Sequence, residues 1–78
     1  MPQFYFNVRD GSEVFRDPVG SECQSLDDAK ADAKIAAREF VVEALRFERP
    51  VDGRVIEITD ENGKVLAEIP FRDIVNPP

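Results

Sequence analysis

The chain has 78 residues, a formal net charge of −6 from sixteen acids and ten bases, 42% hydrophobic and 33% charged residues, and one cysteine. That length supports one domain at most, residues 1–78, and a chain so short buries roughly 60% of its unfolded surface, so the core is thin. The composition excludes intrinsic disorder, a membrane span of about 20 apolar residues and an internal disulfide, and it makes nucleic acid and anionic membranes poor partners.

The first strand is read at "QFYFNVR", where Phe4, Phe6 and Val8 alternate with Tyr5, Asn7 and Arg9. Asp10-Gly11 signals a hairpin, and "EVFR" returns as a second strand with Phe15 toward the core and Val14 and Arg16 away from it. Pro18 and Gly20 stop the pairing near Asp17. Ser25, with Asp28 three positions on, is an N-cap, and the alanine-rich run that follows predicts a helix over 26–48, ended by Pro50. Its core face carries Leu26, Ala29, Ala33, Ala36, Ala37, Phe40, Val41, Ala44 and Leu45.

"VDGR" at 51–54 reads as a turn and "RVIEIT" as the third strand, with Ile56 and Ile58 facing in. "DENG" is a hairpin turn, and "KVLAEIPF" is the fourth strand, with Val65, Ala67, Ile69 and Phe71 inward and Pro70 at its end or edge. Ile74 and Val75 in the tail are placed to pack back. The predicted fold is α+β with ββαββ order: a four-stranded antiparallel sheet and one long helix on one face.

Several chemistries have no residues to carry them. Without histidine there is no Ser-His-Asp or Cys-His set, and Cys23 has neither a second thiol nor an imidazole. Cys23 is expected to pack under the start of the helix, where Glu22, Asp27 and Asp28 oppose a thiolate. Asp60 and Glu61 fall short of a calcium loop; Asp10, Asp17 and Glu22 would converge for acid–base work only if the first hairpin folded back on itself, and their expected role is capping backbone donors in turns. Glycines 11, 20, 53 and 63 stand apart, so no phosphate-binding loop forms. The expectation is a non-enzymatic protein with no cofactor and no metal. The N-terminus lacks a basic region before its apolar run, and with the lone cysteine this points to a reducing cytoplasm.

One surface is unusual. Opposite the core stripe, Ile35 and Val42 lie two turns apart with Ala31 beside them. Lys30, Lys34 and Arg38 form a basic ridge on one side, and Asp28, Asp32 and Glu39 an acidic flank on the other. An apolar strip between opposite charges suits a partner helix or a second copy of the chain, with Ile35, Val42, Lys34, Arg38 and Glu39 as the interacting residues. Two plainer readings stand beside it: isolated apolar surface residues need no explanation, and the tail with Ile74 and Val75 is within reach to cover them.

"MPQFYFNVRDG", "RDPVGSEC", "LDDAKADA" and "DENGKVLAEIPFRD" together resemble a family of short bacterial proteins, most familiar from alphaproteobacteria, described only as a domain of unknown function. Its members open M-P-x-[FY]-[FY]-F with a D-G turn and continue through D-x-x-G-x-E into an alanine-rich helix. They close on a D-x-x-G turn followed by P-F. The resemblance spans essentially the whole chain and implies a bacterial cytoplasmic setting and a stand-alone small domain, with no activity or binding residue attached. "DPVGSECQSLDDA" also resembles the N-terminal domain of HicB-type antitoxins, where a strand pair leads through a Pro/Gly corner with a Cys into a helix beginning L-x-E-A. That fold places a third strand before the helix, which the ββαββ reading lacks, and no DNA-binding helix or ribbon segment follows. This likeness implies a regulatory, antitoxin-like protein that binds a basic partner.

Overall fold

A computed structural model describes residues 1–51 and 53–76. Asp52 of the 51–54 turn and the last two prolines of the tail lie outside the described residues. The order is β1 (Gln3–Asp10), β2 (Glu13–Phe15), β3 (Ser21–Glu22), α1 (Leu26–Arg46), β4 (Arg54–Thr59), β5 (Val65–Pro70) and α2 (Phe71–Val75). The α+β class stands, but the antiparallel sheet has five strands, in the order β2-β1-β4-β5 with β3 also on β1. The four-stranded expectation missed β3 because two residues carry no periodicity to read.

The central pair is β1 with β4. Val8 lies opposite Ile56, and Phe6 opposite Ile58, so the expected alternation puts these side chains on one face. Ile56 and Ile58 are fully buried there, with Phe4, Ile69 and Phe71. Ala29, Ala33 and Ala37 recur every four residues along α1 and are fully buried. Side chains this small bring the helix backbone close to the sheet, and Val41 and Ala44 continue the buried stripe.

α1 packs on β4, β5 and α2 rather than across the whole sheet. Phe15 was expected inward, yet it is 57% exposed, because the three-residue edge strand β2 has no helix above it. Leu45 is also exposed, at 64%. With about 100° of rotation per residue, it falls outside the buried arc from Ala29 to Val41. Phe40 is half exposed but stacks on Phe71, with ring centroids 5.9 Å apart. Phe71 is buried as expected, though as the first residue of α2 rather than the end of a strand. A bulge beside Thr59 breaks the alternation of β5, so Val65 is exposed and its neighbour Leu66 packs against the core.

The helix begins as read: Ser25 is the N-cap, and its hydroxyl accepts from the Asp28 N–H at 3.2 Å. It ends earlier than position 48. The Arg49 N–H donates to Ala44 O at 2.7 Å and the Glu48 N–H to Leu45 O at 3.2 Å, with Glu48 at φ 55. This is a Schellman closure with a non-glycine residue in the left-handed position.

Candidate interaction surface

The corner at residues 17–25 is a structural joint. Asp17 Oδ1 accepts from the Val19 and Gly20 N–H groups, each at 3.1 Å, and Oδ2 accepts from the Phe6 N–H at 3.2 Å. The Asp17 N–H in turn donates to Asn7 Oδ1 at 2.8 Å. On that side of β1, β3 pairs with Gln3 and Phe4 and β2 pairs from Val8 onward. Phe6 lies in the gap, and the Asp17 carboxylate takes the place of a strand carbonyl. Partial burial raises the Asp17 carboxyl, but the hydrogen bonds from Gly20, Val19 and Phe6 together hold it below its ordinary value. The loop also covers part of the sheet's other face, burying Asn7 and Thr59, whose side chains lie 3.5 Å apart.

Cys23 is buried, and its Sγ donates to Asp32 Oδ2 at 3.7 Å. Burial pushes its thiol up, and the charges of Asp32 and Asp28 push the same way, so the thiolate is disfavoured while the side chain packs in the core. Asp10 pairs with Arg54 at 3.3 Å and Glu22 is exposed, so these acids do not converge with Asp17. Asp60 Oδ1 accepts from the Asn62 and Lys64 N–H groups at 2.9 Å each, as in an ordinary Asx-stabilised hairpin turn. Among the described residues no three metal-ligating side chains come together.

The solvent side of α1 is different in character. Lys34, Ile35, Arg38, Glu39 and Val42 are all exposed, Ile35 at 51% and Val42 at 58%. The helix brings them onto one side, with Ile35 and Val42 about 10 Å apart along the axis. The described residues of the tail, up to Asn76, do not cover them. Ile74 turns inward against the core, and α2 borders a groove of ≈ 300 Å³ lined by Lys34, Arg38, Glu68, Ile69, Pro70, Asp73 and Ile74. Sequence reasoning missed Leu45 and Phe47, which extend the exposed apolar surface toward the helix C-terminus. A shallow depression of ≈ 530 Å³ there is lined by Arg38, Glu39, Val42, Glu43, Arg46 and Phe47. Leu45 lies three residues beyond Val42, a helical spacing that would have revealed it.

The charges on this side are segregated. Every pair of charged residues four apart on α1 is like-charged, namely Asp28–Asp32, Lys30–Lys34, Lys34–Arg38 and Glu39–Glu43, while the pairs three apart near its two ends, Asp27–Lys30 and Glu43–Arg46, are opposite. Like-charged pairs cost an isolated helix roughly 0.2–0.5 kcal/mol each. Among the described residues no ion pair within 4.0 Å involves α1; the pairs formed are Arg9 with Glu57 and Glu68, and Arg54 with Asp10.

The sheet edges, by contrast, are blunted only in part: Val65–Ile69 of the edge strand β5 keep their backbone N–H groups. β5 ends in Pro70, which has no N–H to offer, and the opposite edge is made of the short strands β2 and β3.

The model of the family described as a domain of unknown function, DUF6894, matches residues 3–72. The chain belongs to this family. The DUF6894 match runs from β1 into α2, so the corner, α1 and its solvent side all lie within it. No curated protein and no solved structure matches the chain significantly. No helix among the described residues is long and apolar enough to cross a membrane.

Proposed function

We propose that this DUF6894 chain is a small non-enzymatic interaction module, working in a reducing bacterial cytoplasm, that docks a protein through the solvent side of α1. The observation that carries this reading is the uncovered Ile35–Val42 strip, flanked by a basic and an acidic ridge without ion-pair partners among the described residues. Docking would remove apolar surface from water and neutralise charges that now repel along the helix. Lysine-reactive cross-linking in cells expressing the chain tests it. Lys34 should cross-link to a protein chain, its own or another, and Val42→Glu should abolish the link while leaving the helical circular dichroism unchanged. Cross-linking of equal yield in Val42→Glu would contradict the reading.

A second reading, a regulatory or antitoxin-like protein with a basic partner, gains support from β3. The HicB-type outline asks for a strand before the helix, and Ser21–Glu22 supplies a short one on β1. The charge of −6 would speed encounter with a basic partner and make it salt-sensitive. Here the test is co-purification of a basic protein that is released by salt and does not depend on Val42.

A further inference from the structure

We propose that the occupant of the α1 surface is a second copy of this chain, with the two α1 helices side by side and parallel. The inference rests on the reading of this surface as a docking site and names its partner. An occupant must bring acids to Lys30, Lys34 and Arg38 and bases to Asp28, Asp32, Glu39 and Glu43. The chain itself carries both ridges, one on each side of Ile35 and Val42.

Symmetry then selects the orientation. A two-fold axis running along the helices sets each basic ridge against the partner's acidic ridge. Lys34 then reaches toward the partner's Glu39, five residues further on, which is the charge spacing of parallel paired helices. Ile35 meets the partner's Ile35, and Val42 the partner's Val42. A two-fold axis perpendicular to the helices sets base against base and acid against acid, which repels. The same five-residue spacing sets Asp27 against the partner's Asp32, and Arg46 interrupts the acidic side, so complementarity is confined to Lys34, Arg38 and Glu39 and the contact is short. Its affinity is modest and falls as salt screens the flanking pairs.

Single-cysteine trapping reads the orientation directly, since buried Cys23 stays out of the reaction. Ile35→Cys alone should form an inter-chain disulfide under mild oxidation, and so should Val42→Cys alone. In an antiparallel pair, copies of either position lie about 10 Å apart along the axis, beyond disulfide reach, and only the mixture of the two variants would cross-link. Charge reversal gives an independent readout. Lys34→Glu and Glu39→Lys should each weaken association by about three- to tenfold, and the double reversal Lys34→Glu/Glu39→Lys should restore most of it. A monomer at millimolar concentration, a disulfide formed only in the mixture, or no rescue by the double reversal overturns the inference. A monomer whose Lys34 still cross-links to a different protein overturns this inference alone and leaves the docking surface standing.

Discussion

Replacing Asp17 with alanine removes the acceptor that closes the gap between β3 and β2. Three backbone N–H groups lose their partner: Phe6 at 3.2 Å, and Val19 and Gly20 at 3.1 Å. Phe6 is half buried within the sheet, and a hydrogen bond to a charged acceptor there is worth about 1.5–3 kcal/mol. Val19 is exposed and Gly20 only half buried, so their N–H groups turn to water at smaller cost. A net loss of about 2–3 kcal/mol follows, against a total stability of roughly 4–12 kcal/mol for a chain of this size. Thermal unfolding should shift down by about 10–20 °C. Asp17→Asn keeps one acceptor oxygen, for Val19 and Gly20, and presents an amide to Phe6, so its loss should be intermediate. The folded carboxyl sits below the ordinary 3.8. Its stabilisation is therefore complete above that value and disappears as pH falls through the lower folded pKa. Urea denaturation followed by circular dichroism at neutral and acidic pH measures both effects. An Asp17→Ala protein within about 0.5 kcal/mol of wild type at neutral pH, or a deficit that does not shrink in acid, would refute the role given to this carboxylate.

Three further outcomes are expected. Glu48→Gly should stabilise the protein by about 1 kcal/mol in the same denaturation assay, because it removes a side chain from the left-handed closing position of α1 at φ 55. Gly20→Ala should destabilise it by about 2 kcal/mol or more: φ is 78, and a Cβ would lie 2.8 Å from Tyr5 Cε1 and 3.1 Å from the Phe4 carbonyl oxygen. Cys23 should react with a thiol reagent only as fast as the fold opens. Because its folded pKa is raised above 9.0, its contribution to stability is intact below that value and is lost as pH rises past it, which base titration of the unfolding midpoint would detect.

Much of this architecture was legible because it follows two simple periods. Phe4, Phe6 and Val8 alternate, Ala29, Ala33 and Ala37 recur at helical spacing, and both patterns produce the buried faces read from them. What escaped depends on relations between distant residues. Phe15 has an inward-reading pattern, but only the position of α1 decides whether anything lies above it. Leu66 replaces Val65 against the core because a bulge shifts the register, and no local residue announces that. Asp17 reads as a turn acid, whereas its reach to Phe6 across eleven positions depends on a gap between two strands. The solvent side of α1 was readable from the helix alone. Its exposure was not, since the tail had first to be placed, and Ile74 packs elsewhere.

Light scattering of the purified chain over a concentration series tests most directly whether the solvent side of α1 joins two copies. The account predicts a mass that climbs from one chain toward two, drops back at high salt, and stays at one chain throughout for Val42→Glu. A single-chain mass at every concentration, or an identical climb in Val42→Glu, would contradict it.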